Sequence, residues 1–192
     1  MLDGHGSEVL AEPVRAERVL PETVAFQMVT MLQDVIERGT GAQARAMGVR
    51  FPAGGKTGTT DSFHDAWFVG FSSSLVVGVW VGYDQPRPIG PEAYGARVAL
   101  PIWSEFMRNS VRRYPAVAFD MPDGIRQQDL CNVSYLRPVQ ECPTYTEYFK
   151  EGDDIPSQLC AVHRGSFKQQ AKRAVESLFS GLGKRLKKIF GR

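Results

Sequence analysis

The sequence predicts an α+β fold in which an antiparallel sheet packs against helices. Two stretches, 21–38 and 99–113, carry apolar residues at helical spacing. Between them lie three short runs rich in β-branched and aromatic residues, set off by turn-forming residues.

In the first helix, Pro21 suits a first-turn position and Glu22 favours the positive end of the helix dipole. Val24, Met28, Met31, Leu32, Val35 and Ile36 then recur along one side. Gly39-Thr40-Gly41 stops the helix, with Gly39 where a left-handed cap is wanted, and 42–47 suits one further turn. Strands are expected at 55–60, 66–71 and 75–83, with Ser72-Ser73-Ser74 turning the chain between the last two. Val76, Val77, Val79, Trp80 and Val81 give the third strand the composition of a buried one. A loop heavy in proline and glycine over 85–95 leads to the second helix. Its first turn would hold Pro101, and Ile102, Trp103, Phe106, Met107 and Ser110 would share a face.

Outside this body the character changes. Residues 9–19 alternate as an edge strand or extended arm does. From 115 to 163 the chain collects prolines and all three cysteines without periodicity, and reads as an irregular extension. Residues 166–192 are helical again, with Ala171, Val175, Leu178, Leu182, Leu186 and Ile189 forming a stripe against lysines and arginines. Three parts are therefore expected: a body over 1–114, an extension over 115–163 and a basic amphipathic tail over 164–192.

Charge follows the same division. From Arg164 onward nine Lys or Arg stand against one acid, Glu176, so this stretch carries +8; within a net charge of +2, residues 1–163 carry −6. Leu178, Phe179, Leu182, Leu186, Ile189 and Phe190 oppose Lys184, Arg185, Lys187 and Lys188, which suits a helix lying on anionic lipid. Gly181 and Gly183 weaken that helix, and a solvated, fraying helix is the other reading. The opening Met1-Leu2-Asp3-Gly4-His5-Gly6 has neither the basic nor the apolar region of a signal peptide. The uncharged run beginning at Ala66 is short for a membrane helix and is broken by serines, so no segment is expected to cross a membrane.

One motif carries chemistry: Gly54-Gly55-Lys56-Thr57-Gly58-Thr59-Thr60. It is not a phosphate loop, because Arg50 stands where that pattern needs its first glycine and the order here is helix before strand. Lys-Thr-Gly is one of three elements of penicillin-binding proteins and class A β-lactamases, beside S-x-x-K and S-D-N. A peptide ending in a carboxylate needs a fixed cation and hydroxyl donors, which Lys56, Thr57 and Thr59 supply. Gly58 leaves room for a substrate backbone to lie along the strand, and a backbone N–H at the strand edge can serve an oxyanion.

The surroundings of the triplet carry a resemblance. Lys56-Thr57-Gly58-Thr59-Thr60, then Asp65-Ala66-Trp67-Phe68-Val69-Gly70-Phe71, then Val77-Gly78-Val79-Trp80-Val81-Gly82-Tyr83-Asp84 closely resemble class A penicillin-binding proteins, the bifunctional peptidoglycan glycosyltransferase/transpeptidases. Gly39-Thr40-Gly41 before them and Leu100-Pro101-Ile102-Trp103 after them match in order and spacing, and the resemblance covers roughly 5–163. It implies part of a transpeptidase domain of the penicillin-binding/β-lactamase type, followed by the C-terminal extension of this family. The implied reaction is acyl transfer from a D-Ala-D-Ala stem peptide to an acceptor amine, through an acyl-enzyme on serine. Lys56 and Thr59 would then be catalytic, the lysine orienting the catalytic hydroxyls and the Thr59 N–H forming half of the oxyanion hole. Thr57, Gly58 and Thr59 would bind substrate or a β-lactam.

Two of the three family elements are missing from these residues. No serine is followed three positions later by lysine, and no S-x-N triplet occurs. Both precede Lys-Thr-Gly in the family, as do the glycosyltransferase domain and membrane anchor, so the chain is expected to be a fragment, inactive and poorly soluble alone. The resemblance places the parent enzyme on the periplasmic face of the inner membrane, with stem peptides and β-lactams as partners and no cofactor. A non-catalytic module that contacts membrane or partner through the tail is the alternative; nucleic acid is not expected. His64 is read as a surface residue and not a general base. Cys160-Ala161-Val162-His163 looks like half a zinc site that Cys131 and Cys142 could complete, but ten and seventeen intervening residues fit no compact knuckle. The family extension instead implies a disulfide between Cys142 and Cys160, with Cys131 unpaired and no metal.

Overall fold

The structure, a computed structural model, describes residues 17–163. Helix α1 (Glu22–Glu37) starts at Pro21, whose extended backbone makes it the N-cap, and its backbone bonding ends at Arg38. A single turn, α2 (Gln43–Ala46), leads into β1 (Gly54–Thr59), β2 (Asp65–Phe71) and β3 (Val76–Gly82). These strands form one antiparallel sheet in the order β1-β2-β3. Helix α3 (Gly95–Ser110) follows, and then an antiparallel hairpin of β4 (Ile125–Cys131) and β5 (Thr144–Lys150). The predicted arm over 9–19 lies largely outside the described residues, and the basic tail lies wholly outside them.

The core forms where α3 crosses the sheet. Phe68 and Trp103 meet edge-to-face at 4.9 Å between centroids, surrounded by Ile36, Ala44, Val49, Ala53, Ala99, Leu100 and Met107. The Trp103 ring can lie this low because Gly70 has no side chain; a Cβ there would sit 2.6 Å from the ring. The buried face of α3 is Ala99, Leu100, Trp103, Ser104 and Met107, while Ile102 and Phe106 are about half exposed (52% and 51%). The expected face, which included Ile102 and Phe106, is thus corrected. The two extra apolar residues blurred the phase of the pattern.

Helix α3 also begins four residues before the predicted 99, so Pro101 lies inside the helix and not in its first turn. The early start is set by docking. The Gly95 N–H, one of the orphan donors of a helix start, is taken by the Thr59 hydroxyl at 3.1 Å. Gly95 itself lies against the sheet, where a Cβ would fall 2.2 Å from the Trp67 carbonyl oxygen and 2.8 Å from that of Gly58.

β3 differs from the buried strand its composition suggested. Val77, Val79 and Val81 pack on the core, but Val76 and Trp80 are 76% and 42% exposed. The antiparallel sheet packs on the core with one face only, as the alternating burial of the central strand β2 also shows, so β3 buries one side. On that exposed face Trp67 and Val69 join Val76 and Trp80, an apolar surface left uncovered by the described residues.

The extension, expected to be irregular, contains one regular hairpin. Its hairpin was missed because β4 alternates little: Arg126, Gln127 and Gln128 follow one another, and only Ile125, Leu130 and Cys131 are buried. A two-stranded hairpin is marginal alone, and this one leans on α1. Phe26 meets Tyr148 edge-to-face at 5.3 Å, the Gln27 side-chain amide donates to the Tyr148 carbonyl at 3.0 Å, and the Arg38 guanidinium lies 3.8 Å from the Tyr145 ring centre.

Two substitutions test this packing. Trp103→Ala should lower unfolding stability by about 3–5 kcal/mol, the range for a large buried side chain, in urea titrations. Gly95→Ala should cost about 1–3 kcal/mol through overpacking. Gly90→Ala, with open space around it, should stay within about 0.5 kcal/mol of the parent. Equal effects at the two glycines would mean that α3 is not seated as described.

Candidate functional site

Lys56-Thr57-Gly58-Thr59 occupies β1, one of the two edge strands of the sheet. The Thr60 N–H donates to the Asp65 carbonyl at 3.0 Å. Antiparallel pairing alternates bonded and non-bonded positions. With Gly58 opposite Trp67 and Lys56 opposite Val69, those two residues turn their backbone groups toward β2. Thr57 and Thr59 therefore direct their N–H and C=O groups to the unpaired edge. A strand whose inner partner is fixed thus presents donors outward at alternate residues.

Side chains complete this edge. The Lys56 ammonium is exposed and donates to the Thr57 carbonyl at 2.9 Å. The Thr57 hydroxyl lies 3.1 Å from that of Thr40, in the Gly39-Thr40-Gly41 loop that ends α1. The Thr59 hydroxyl accepts from Gly95, which leaves its own proton to donate. Gly58 lies beside Trp67, where a Cβ would come within 3.2 Å of the tryptophan Cβ. One cation, three hydroxyls and two outward backbone N–H groups line one strand edge. Such a set can hold a carboxylate and can stabilise an oxyanion.

Two members were not assigned a role from sequence. In the sequence Thr40 counts as part of a helix stop and of the family's run of motifs, and Gly95 only as loop. The signal for Thr40 was its place between two glycines, which frees the chain to turn back onto β1. Gly95 carried no local signal, because its role depends on where α3 meets β1. His64 lies in the turn between β1 and β2, partly exposed.

A second constellation lies at the far end of the hairpin. Cys142 and Cys160, expected to form a disulfide, carry free thiols, as does Cys131. All three sulfurs face one imidazole nitrogen: His163 Nδ1 lies 3.4 Å from Cys131, 3.3 Å from Cys142 and 3.2 Å from Cys160. Their titration is split. Burial pushes the Cys160 thiol up, but hydrogen bonds with the Ser134 hydroxyl and with His163 outweigh it and bring it down to about 6. Burial raises Cys142 to about 11, and the neighbouring Cys160 and Cys131 sulfurs add to that. His163 is held above its ordinary value chiefly by its hydrogen bond to Cys160.

Comparison with known proteins agrees with this architecture. The family profile described as the penicillin binding protein transpeptidase domain matches residues 8–108, and that of the penicillin-binding protein 1A C-terminal domain matches 121–165. The chain is 42% identical over 157 residues to penicillin-binding protein 1A of Pseudomonas aeruginosa, covering 81% of this chain and 19% of that protein. It is 48% identical over 123 residues to penicillin-binding protein 1A of Aquifex aeolicus, covering 64% and 16%. The crystal structure of penicillin-binding protein 1A from Haemophilus influenzae superposes with a TM-score of 0.64 at 28% identity, covering 76% of this chain and 22% of that one. The chain thus spans about a fifth of the length of the relatives it matches. With the transpeptidase profile spanning more than half of its residues, on a fold shared with a solved relative, the chain belongs to the penicillin-binding protein transpeptidase family.

Proposed function

We propose that this chain supplies the substrate-carboxylate strand of a serine D,D-transpeptidase that cross-links peptidoglycan and is acylated by penicillins. The observation that carries this reading is the free edge of β1, where Lys56, Thr57, Thr59 and Thr40 gather beside outward-facing backbone N–H groups. In this reading Lys56 sets the local charge and orients the attacking hydroxyl. The hydroxyls of Thr57 and Thr59 bind the terminal carboxylate of the stem peptide or of a β-lactam. The Thr59 N–H then stabilises the oxyanion formed when serine adds to the D-Ala-D-Ala carbonyl. D-alanine leaves, and an acceptor amine resolves the acyl-enzyme.

The nucleophile must come from outside these 192 residues, since no S-x-x-K occurs among them. Residues 1–114 serve as the transpeptidase body, 115–163 as an extension braced on α1, and 164–192 as a basic tail at an anionic membrane surface. The setting is the periplasmic face of the inner membrane, within a synthase that also carries a glycosyltransferase. Among the described residues no helix is long and apolar enough to cross a membrane. The missing serine motif favours one second reading, a non-catalytic module that contacts membrane or partner.

A chimera separates the two. This chain replaces the matching C-terminal segment of Pseudomonas aeruginosa penicillin-binding protein 1A, and acylation by a fluorescent penicillin is followed. The chimera should be acylated, and Lys56→Ala within it should slow acylation by about 10²–10³, the usual cost of one transition-state donor. The 192-residue chain alone should give no covalent adduct by mass spectrometry. A folded chimera whose acylation ignores Lys56 would remove the catalytic reading and leave the module. A stoichiometric adduct on the isolated chain would show that a serine among these residues is the nucleophile.

A further inference from the structure

The cysteine–histidine constellation lies outside the transpeptidase edge and has no part in the chemistry above. Its four donor atoms come from chain positions up to 32 residues apart, yet all lie within 4.8 Å of one another. We propose that Cys131, Cys142, Cys160 and His163 bind one structural zinc ion.

Four of the six distances between donor atoms are close to the edges of a tetrahedron, and the other two lie within 4.8 Å. Zinc takes thiolate at about 2.3 Å and imidazole at about 2.0–2.1 Å, so tetrahedral ligation sets S···S edges near ~3.8 Å and S···N edges near ~3.5 Å. The Cys131–Cys160 sulfurs are 3.7 Å apart, and the three S···Nδ1 distances run from 3.2 to 3.4 Å. A disulfide would need two sulfurs at about 2.0 Å and would not direct a third sulfur and a ring nitrogen at the same point.

The scaffold holds the sulfurs as a metal site requires. Cys131 ends β4 and is held by its backbone, its N–H donating to the Leu136 carbonyl at 2.9 Å and its carbonyl accepting from the Tyr135 N–H at 2.8 Å. The Val139 N–H donates to the Cys142 sulfur at 3.3 Å, while the Cys142 N–H closes a turn on the Val139 carbonyl. Cys160 is carried in by the returning chain after β5: Leu159 makes an isolated bridge to Arg137, and the Cys160 N–H donates to the Arg137 carbonyl at 2.8 Å. N–H donors aimed at sulfur stabilise thiolates and fix their direction.

The donor set selects the metal and its role. Three soft sulfurs and one imidazole suit zinc and not calcium or magnesium, which take oxygen. Four protein ligands close the coordination shell, so the site is structural. Binding takes all three sulfurs as thiolates, any remaining thiol proton passing to solvent, and transfers no electron; Nδ1 gives its lone pair and the ring proton sits on Nε2. The ion would join three segments that otherwise meet over little apolar core, since Ile125, Leu130, Cys131 and Cys160 are the buried apolar residues of the extension. The widely spaced ligands, which argued against zinc in the sequence, are those of a site closed by a hairpin and a returning loop.

The 192-residue chain, purified without chelator, should contain about one zinc per chain by elemental mass spectrometry. Denatured in chelator and alkylated without reductant, it should show three modified cysteines. Metal-free chain titrated with Co²⁺ should develop the intense visible bands of a tetrahedral thiolate site, saturating at one equivalent and displaced by Zn²⁺. Cys131→Ser and Cys142→Ser should each weaken Co²⁺ binding by more than the ~10–100-fold that loss of an outer-shell partner costs. A Cys142–Cys160 disulfide in the zinc-free purified chain, with no cobalt bands after reduction, would overturn the proposal. So would unchanged Co²⁺ affinity in Cys131→Ser.

Discussion

The closeness with which α3 rests on the sheet governs the rest of this structure. Two bare backbone positions permit it: Gly70 under the Trp103 ring and Gly95 over the Trp67 carbonyl. A side chain at either would lift the helix by more than a well-packed core tolerates. The consequence reaches the candidate site directly. With Gly95 pressed on the sheet, its N–H takes the Thr59 hydroxyl as acceptor, so the helix that forms the core also fixes the end of the Lys-Thr-Gly strand. Stability and site geometry share one contact here.

Helix α1 makes a second connection. Its C-terminal end turns through Gly39-Thr40-Gly41, which sets the Thr40 hydroxyl beside Thr57. Its outer surface receives the hairpin through Phe26 on Tyr148 and Arg38 on Tyr145. Contacts of this kind contribute on the order of 0.5–1.5 kcal/mol each, which is modest alone but concentrated on one helix. The extension therefore braces the helix whose end borders the strand edge. A metal-closed hairpin would give that brace a rigidity that its sparse apolar core does not.

What could be read in advance followed from local rules. Helix 21–38, three strands between 55 and 83 and the antiparallel α+β class are all legible as periodicity and residue type. The first helix and the strands differ from expectation by one residue or so at each end. Misreadings arose where a residue's fate depends on a distant partner. The phase of α3 could not be told among Ile102, Trp103, Phe106 and Met107, because all four are apolar and only the sheet decides which are buried. β4 was invisible because four of its seven residues are polar and its stability comes from β5 and α1.

The sequence by itself determined the chemical inventory: a lysine, threonines and glycine on one strand, no serine motif, three cysteines and a histidine in one region. It determined the family too, since a run of motifs in fixed order survives without coordinates. Only the tertiary structure decided which side of β1 is free and that Thr40 and Gly95 border it. It also decided that Cys131, Cys142, Cys160 and His163 share one centre. The physical reason is common to all three. Strand edges, helix seats and ligand clusters are closed by residues far apart in the chain, whose approach depends on backbone packing that no local pattern encodes.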